Sequence, residues 1–294
     1  TGDVDFAYEI PALARYRANF FQQKYGIGAV FREIPTVIQT CEQLGLPPVV
    51  KRLATLPRGL VLVTGPTGSG KSTTLAAIIH EANKTRKEHI LTVEDPIEFV
   101  HKSDQAIINH REVGMHTKSF AAALRGALRE DPDIILVGEM RDLETISLAI
   151  EASATGHLVY ATLHTTSAAK TVDRIIEVFP QNQQEQIRNT LADGLRAVVA
   201  QSLFKKIDRT GRVAALEIMI ANPAVRNLIR EGKTFQIPSM IQTGKKYGMQ
   251  TLDDAILYHL EKKNISADDA YIKSNDKAKF LPFLSKPPSD FTEV

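Results

Sequence analysis

The chain has 294 residues, 43% of them hydrophobic and 24% charged, the balance of a globular protein large enough for an α/β core with smaller appended domains. A formal net charge of only +2 gives no support to broad nucleic-acid binding, and no apolar run approaches the ~20 residues of a membrane-spanning helix. Cys41 is the single cysteine, so the chain can form neither an internal disulfide nor a four-cysteine zinc site.

The N-terminal segment, residues 4–34, is rich in aromatic and β-branched residues with scattered arginines, a composition that favours β-strands. It predicts the sheet of a small N-terminal domain at residues 1–35. The chain starts at Thr1, and we expect the domain to begin before this residue. A linker punctuated by glycine and proline is predicted at residues 36–50.

The middle of the chain alternates short apolar runs with helical patterns. Each run is rich in branched side chains, as in strands that are buried on both faces of a parallel sheet. The predicted strands are residues 60–64, 90–93, 134–137 and 158–162, and the predicted helices are residues 72–83, 120–129 and 143–155. This alternation predicts a doubly wound α/β core over residues 51–204.

Helical patterns predominate after the core. They start at about residue 181, and residues 205–294 are predicted to form a mainly helical C-terminal region. The last stretch, residues 285–294, carries two adjacent prolines and few apolar residues, so we expect it to be loose.

A glycine-rich segment follows the first core strand and precedes the first core helix, which is the context of a phosphate-binding P-loop. Its glycines let the backbone turn tightly, so that successive N–H groups point into one concavity beside the positive end of the helix. We expect Lys71 to reach the β- and γ-phosphates of ATP and the Ser72 hydroxyl to ligate Mg²⁺. The predicted nucleotide-binding residues are Gly65, Pro66, Thr67, Gly68, Ser69, Gly70, Lys71, Ser72 and Thr73.

Two acidic segments follow core strands. Glu139 stands just beyond the third predicted strand, where strand ends meet the nucleotide crevice, and we predict that it activates the attacking water. Three acids lie within residues 94–98, and their repulsion beside phosphate predicts either Mg²⁺ or an arginine as partner, with Glu94 as the expected Mg²⁺ ligand. The alternatives are a helix cap at Glu139 and a solvated turn at residues 94–98. Arg141 and Asp142 are predicted to form a structural ion pair.

Two histidines, His157 and His164, bracket the last predicted core strand. Their separation along an extended chain spans ~23 Å, so they cannot share one metal ion, which argues against a zinc site. His164 lies at the carboxyl end of the strand, and we predict that it senses the γ-phosphate. The alternative is a structural or surface histidine.

In this order, the four elements resemble those of the secretion ATPase superfamily, the motors of bacterial type II secretion, type IV pili and type IV secretion. That family is marked by a P-loop, an acidic box at residues 94–98, a Walker B strand at residues 133–139 and a histidine box at residues 156–164. Residues 129–142 look like the family's signature segment almost unchanged. The resemblance implies a RecA-like P-loop ATPase core with a partial N-terminal α+β (PAS-like) domain and a helical C-terminal region.

Within this family, the chain resembles the ATPases that retract type IV pili. Assembly and type II secretion ATPases carry a tetracysteine zinc subdomain, which one cysteine cannot supply. Retraction ATPases carry the C-terminal sequence Ala-Ile-Arg-Asn-Leu-Ile-Arg-Glu, matched by residues 224–231 with Val225 in place of the isoleucine. Asn222 is placed to cap this helix, Pro223 suits its first position, and Gly232 suits its end. Its predicted apolar face comprises Ala224, Val225, Leu228 and Ile229.

The resemblance also implies an assembly and its partners. The implied assembly is a homo-hexamer that uses ATP and Mg²⁺. Its implied partner is an inner-membrane pilus platform protein, which it contacts at the cytoplasmic face of the inner membrane. Neither insertion into the membrane nor nucleic-acid binding is expected. In family hexamers, arginines of one N-terminal domain complete the neighbour's nucleotide site. Arg17 and Arg32 lie in the matching segment and are the predicted arginine fingers, with Arg15 as the alternate.

The function predicted from these features is ATP-driven retraction of type IV pili by a ring-shaped motor. Three alternatives stay open: an accessory paralogous retraction ATPase, a nucleic-acid translocase on a RecA-like core, and an ATP-binding regulatory ring subunit. The near-neutral charge argues against the translocase, and the presence of both Lys71 and Glu139 argues against a subunit that does not hydrolyse ATP.

Overall fold

The computed structural model describes residues 2–11, 13–34 and 36–286, which fold into two β-sheets with helices around the larger one. The stretch that was expected to be loose, residues 285–294, lies for the most part outside the described residues.

The N-terminal segment forms an antiparallel sheet of three strands in the order β1-β2-β3, as its composition predicts. The strands are β1 (Asp3–Ile10), β2 (Ala14–Gln23) and β3 (Gly26–Ile34). The rings of Phe6 and Phe31 both pack on Phe20 in the central strand, at centroid separations of 5.6 and 5.8 Å. Ala18 in the same strand is fully buried. One aromatic cluster therefore links all three strands.

The larger sheet has seven strands in the order β10-β9-β4-β8-β7-β5-β6, and each neighbouring pair except β10 and β9 is parallel. Its strands are β4 (Gly59–Thr64), β5 (His89–Glu94), β6 (Ile107–Glu112), β7 (Ile134–Val137), β8 (Leu158–Leu163), β9 (Leu195–Lys205) and β10 (Arg212–Ile220). The four predicted core strands are confirmed as β4, β5, β7 and β8. The predicted α/β fold class is confirmed with them.

Three strands of this sheet, β6, β9 and β10, are not predicted by the sequence. The second half of β6 is polar, and β10 contains the run Ala214, Ala215, Leu216 and Glu217, residues that favour helices when considered alone. The expectation that helices predominate from residue 181 is therefore wrong for β9 and β10, where pairing with neighbouring strands overrides local preference. The mainly helical region predicted at residues 205–294 includes β10, and the predicted domain boundaries stay predictions.

Helices cover both faces of the larger sheet. They are α1 (Pro48–Arg52), α2 (Lys71–Thr85), α3 (Phe120–Ala127), α4 (Leu143–Ala154), α5 (Ala168–Glu177), α6 (Gln184–Gly194), α7 (Pro223–Arg230), α8 (Ile237–Thr243), α9 (Leu252–Glu261), α10 (Ala267–Lys273) and α11 (Lys277–Phe280). The three predicted core helices are confirmed as α2, α3 and α4, although α3 stops before Leu128, which is exposed rather than buried. In the part of the chain that the structure describes, no helix has the length and apolar character needed to span a bilayer.

Alternate side chains of β4 enter two different cores, as expected for a strand covered on both faces. Leu60 and Leu62 pack in a cluster with α3, α4, α5 and α6, whereas Val61 and Val63 pack in a cluster with α1 and α2. The second cluster also contains Cys41, which is 3% exposed. Two helical layers therefore enclose the centre of the sheet.

The C-terminal helices attach to one edge of the sheet through a third core. Phe204 of β9 and Ala215 of β10 pack there with Ile256 of α9, Tyr271 of α10 and Phe280 of α11. Two of the strands that the sequence does not predict, β9 and β10, therefore carry the C-terminal helices.

The carboxyl ends of four parallel strands meet at one edge of the sheet. β4 runs into the predicted P-loop, β5 ends at Glu94, β7 ends two residues before Glu139, and β8 ends just before His164. Loops at this edge of a doubly wound sheet form the usual ligand crevice. The predicted site residues of the core are thereby brought to one side of the molecule.

Candidate nucleotide-binding site

The loop between β4 and α2 has the backbone shape that a phosphate cradle requires. Gly65 and Gly70 have φ angles of 144° and 86°, a region that side chains rarely adopt. A Cβ atom on Gly65 would lie 2.3 Å from the carbonyl oxygen of Gln201, so the space also excludes a side chain. Helix α2 then begins at Lys71, and the free N–H groups of its first turn point toward the loop.

Lys71 is held over this loop by main-chain carbonyls. Its Nζ donates to the carbonyl oxygens of Gly65, at 2.9 Å, and Pro66, at 3.1 Å. The residue is 9% exposed, and burial lowers the pKa of its ammonium group. A buried ammonium that donates to neutral carbonyls would form stronger hydrogen bonds with charged phosphate oxygens.

Gln201 of β9 is a site residue that sequence reasoning missed. Its Nε2 donates to the carbonyl oxygen of Ser69 at 2.6 Å, and its Oε1 accepts from the Thr74 hydroxyl at 2.7 Å. A glutamine directly after the apolar run at residues 197–200 is the only signal in the sequence. The contact itself could not be predicted, because the partners lie more than 120 residues away in the chain.

Ser72 and Glu94 line the same small cavity, of about 30 Å³, at the end of β5. Glu94 is buried, which raises the pKa of its carboxyl group to about 7, and it accepts a hydrogen bond from the backbone N–H of Glu98 at 3.3 Å. A hydroxyl and a carboxylate facing one cavity are the oxygen donors that Mg²⁺ takes beside a nucleotide. The residues present therefore fit such an ion.

A histidine pair lies behind Glu94 and was also missed. His110 Nε2 accepts from the backbone N–H of His101 at 3.1 Å, and its Nδ1 lies 2.7 Å from the Thr92 hydroxyl. Burial lowers the pKa of His101 to about 3, so its ring is neutral at physiological pH. Among the residues that the structure describes, no three His, Cys, Asp or Glu side chains are grouped as metal ligands.

Glu139 accepts hydrogen bonds on both carboxylate oxygens. Arg141 donates to Oε2 at 2.6 Å, and His164 Nε2 lies 2.9 Å from Oε1. Burial raises the pKa of Glu139, but the hydrogen bonds and charges of Arg141 and His164 outweigh it, so the pKa lies below the ordinary glutamate value. The carboxylate is ionised at neutral pH, as a base for water requires.

The predicted ion pair between Arg141 and Asp142 is wrong. Arg141 pairs with Glu139 instead, and Asp142 caps α4 by accepting from the backbone N–H of Thr145 at 2.8 Å. An aspartate before the first turn of a helix accepts hydrogen bonds from the free N–H groups of that turn. Asp142 therefore binds the helix backbone rather than the Arg141 side chain.

The two histidines of the last core strand lie at opposite ends of β8, as predicted. His164 follows the carboxyl end and contacts Glu139, whereas His157 precedes the strand and hydrogen-bonds the carbonyl oxygen of Ala152 at 3.0 Å. The role of His164 as a γ-phosphate sensor stays a prediction.

The arginines predicted as fingers lie on the N-terminal sheet. Arg17 and Arg32 are opposite each other in the pairing of β2 with β3, and Arg17 lies 3.9 Å from Asp5. Arg15 turns toward the core of its own chain, where its guanidinium lies 3.8 Å from Glu112 of β6. The assignment of Arg17 and Arg32 to a neighbouring nucleotide site stays a prediction.

Helix α7 carries the motif at residues 224–231. Asn222 accepts from the backbone N–H of Val225 at 2.9 Å, which confirms the predicted cap, and Val225 and Ile229 are fully buried. Ala224 was expected on the apolar face but is exposed. On the polar face, Arg230 pairs with Asp193 of α6.

The fold and the loop geometry define a P-loop ATPase, and the comparisons with known proteins place it more narrowly. A family model described as type II/IV secretion system protein matches residues 37–232. The chain belongs to this family of secretion ATPases.

Within the family, the similar proteins include a pilus retraction ATPase and a twitching motility protein. The chain is 58% identical to the type IV pilus retraction ATPase PilT of Pseudomonas aeruginosa over 92% of its own length and 79% of the relative's. It is 55% identical to a twitching motility protein of Neisseria gonorrhoeae over 96% of its length and 75% of the relative's.

A solved structure of the pilus retraction motor PilT with bound ADP superposes with a TM-score of 0.88, at 48% identity, over 95% of this chain and 79% of that one. The resemblance noted from the motifs is thereby confirmed, and so is the RecA-like ATPase fold.

Proposed function

We propose that the chain is an ATP-hydrolysing hexameric motor that drives the retraction of type IV pili and hence twitching motility. One observation carries this proposal: 58% identity to a pilus retraction ATPase along nearly the whole chain, with the P-loop and Glu139 present. The cradle geometry of residues 65–73 and the paired carboxylate of Glu139 support hydrolysis rather than nucleotide storage.

In this mechanism, the loop amides and Lys71 bind the triphosphate. The Lys71 ammonium exchanges its bonds with the Gly65 and Pro66 carbonyls for bonds to the β- and γ-phosphate oxygens. Bonds to charged oxygens are stronger than bonds to neutral carbonyls, so the exchange favours binding.

Ser72 and Glu94 would hold Mg²⁺, which when bound neutralises charge on the β- and γ-phosphate oxygens. Glu94 is buried, and no Lys, Arg or His side chain forms a salt bridge with it within the described ranges. A cation is therefore the partner that its carboxylate lacks in the isolated chain.

Glu139 acts as the base or orienting group for the attacking water. The bonds from Arg141 and His164 keep it ionised and fix its orientation, while each oxygen keeps a lone pair for water. Because His164 also lies at the end of β8, it is placed to follow changes at the terminal phosphate.

The ring is proposed from the family rather than from a single chain. Arg17 and Arg32 would complete the site of a neighbouring subunit. Arg32 is exposed and the Arg17 side chain is 40% exposed, which supports this role over Arg15, which contacts Glu112. The motor would act on an inner-membrane platform protein from the cytoplasmic face of the inner membrane.

Deletion of the gene tests the proposal in cells. Loss of a retraction motor leaves extra surface pili and abolishes twitching, whereas loss of an assembly ATPase leaves bald cells. Bald cells, or cells that twitch normally, would contradict the proposal.

Lys71→Ala supplies the matched biochemical test. The purified variant should stay folded but lose nearly all ATP turnover, and it should not restore twitching to the deletion strain. Lys84→Ala, at the exposed last turn of the same helix, is the control and should behave as wild type. Normal hydrolysis by Lys71→Ala would remove the cradle from the mechanism.

A further inference from the structure

The side-chain amide of Gln201 forms one hydrogen bond with the P-loop and one with the helix that follows it. The Nε2 group binds the carbonyl oxygen of Ser69, and the Oε1 atom binds the hydroxyl of Thr74. Gln201 is 4% exposed and directly follows the apolar residues 197–200 of β9. Burying an amide there is costly unless both of its hydrogen-bonding groups are satisfied, and here both are.

The contact controls the direction of a peptide unit in the cradle. In a trans peptide, the C=O and the N–H point in opposite directions. Anchoring the Ser69 carbonyl toward β9 therefore aims the N–H of Gly70 away from β9, to the side where the loop amides converge. The Thr74 contact fixes the first turn of α2 relative to the same strand.

The loop lies too close to β9 for a side chain at its first or last glycine. A Cβ atom on Gly70 would lie 2.8 Å from the Gln201 Nε2, and one on Gly65 would lie 2.3 Å from the Gln201 carbonyl oxygen. The loop therefore touches Gln201 at its first glycine, its last glycine and the Ser69 carbonyl between them.

We propose that Gln201 is a positioning residue for nucleotide binding: it presets the P-loop amides, and without it ATP and ADP bind more weakly. This rests on the proposed function, because it concerns the same phosphate cradle. Preorganised donors bind phosphate without a reorganisation cost, so losing the anchor weakens binding of both nucleotides. The hydrolytic step, which depends on Glu139, is affected far less.

The test compares three full-length variants with wild type. Gln201→Leu removes both contacts at similar volume, and Thr74→Val removes the hydroxyl while keeping the side-chain shape. Gln250→Leu is the matched control, because Gln250 Nε2 donates to the carbonyl oxygen of Leu216, the residue opposite Gln201 in β10. Each protein is assayed for mant-ADP affinity, for KM and kcat with ATP, and for melting temperature without nucleotide.

We expect Gln201→Leu to raise the KM for ATP and the Kd for mant-ADP about tenfold, the factor for ~1.4 kcal/mol of lost interaction, with kcat changed far less. Thr74→Val should raise both constants by a smaller factor, and the double variant should be no worse than Gln201→Leu. Gln250→Leu should lower the melting temperature without changing either constant.

A purely structural role predicts a different pattern. If Gln201→Leu melts earlier but keeps the wild-type KM and Kd, the proposal is overturned. If that variant does not fold, Thr74→Val decides the question by the same two constants. A wild-type protein that binds no mant-ADP would instead count against the proposed function.

Discussion

The two halves of the candidate site are built in different ways. The binding half consists of main-chain groups and buried side chains, with Lys71 and Gln201 less than a tenth exposed. The hydrolytic half is a charge cluster at the surface, in which the side chains of Arg141 and His164 are 64% and 47% exposed around Glu139. The first half is preformed by packing. The second can exchange its partners when a phosphate or a neighbouring subunit arrives.

If the halves are separate, removing the base should abolish hydrolysis and leave binding intact. Glu139→Gln should lower kcat on the order of 10²–10³-fold, because a neutral amide cannot take the proton from water. The Kd for mant-ADP should match wild type. Single-turnover hydrolysis and fluorescence titration measure the two quantities.

The control for this change is Glu151→Gln, an exposed glutamate of the neighbouring helix α4, which should alter neither quantity. If Glu139→Gln weakens nucleotide binding as much as it slows hydrolysis, the two halves act as one unit.

A smaller effect should follow from loosening the charge cluster. Arg141→Ala removes a hydrogen bond and a charge that lower the pKa of Glu139, so burial then raises the pKa with less opposition. Because the ionised form is the base, kcat falls as pH drops through this pKa. The acid limb of the kcat profile, below the ordinary glutamate value in wild type, should move to higher pH in the variant.

Arg125→Ala breaks a comparable surface ion pair with Glu144, which contacts neither Glu139 nor His164, and should leave the profile unchanged. An acid limb that stays in place after Arg141→Ala would mean that another group controls the ionisation of Glu139.

The smallest effect concerns Asp142, which lies beside the charge cluster but caps α4. Asp142→Ala should cost about 1 kcal/mol of unfolding free energy and leave kcat and KM unchanged. Asp142→Asn keeps a capping oxygen and should stay close to wild type in thermal denaturation. A fall in kcat with Asp142→Ala would show that this carboxylate takes part in the hydrolytic half after all.

The fold was predictable where local pattern and tertiary environment agree. β4, β5, β7 and β8 are buried on both faces, so their apolar runs identify them. β10 lies at the edge of the sheet, and its run Ala214, Ala215 and Leu216 indicates a helix until β9 is known to lie beside it.

The residues of the site also divide into those that the local sequence predicts and those that it does not. The P-loop and Glu139 follow from spacing within one segment, because the chemistry needs those groups adjacent to a strand end. The Gln201 contacts and the His164–Glu139 contact depend on which side chains meet in space, and no local pattern contains that information.

The lone thiol has a practical consequence. Cys41 is enclosed in the core under α1 and α2, and burial raises the pKa of its thiol to about 11. Thiolate, the species that reacts with maleimides and spin labels, is therefore scarce and shielded at neutral pH. A cysteine introduced at an exposed position, such as Lys84→Cys, would be labelled selectively without first removing the native one. Probes placed in this way can report subunit movements during turnover in an otherwise unaltered protein.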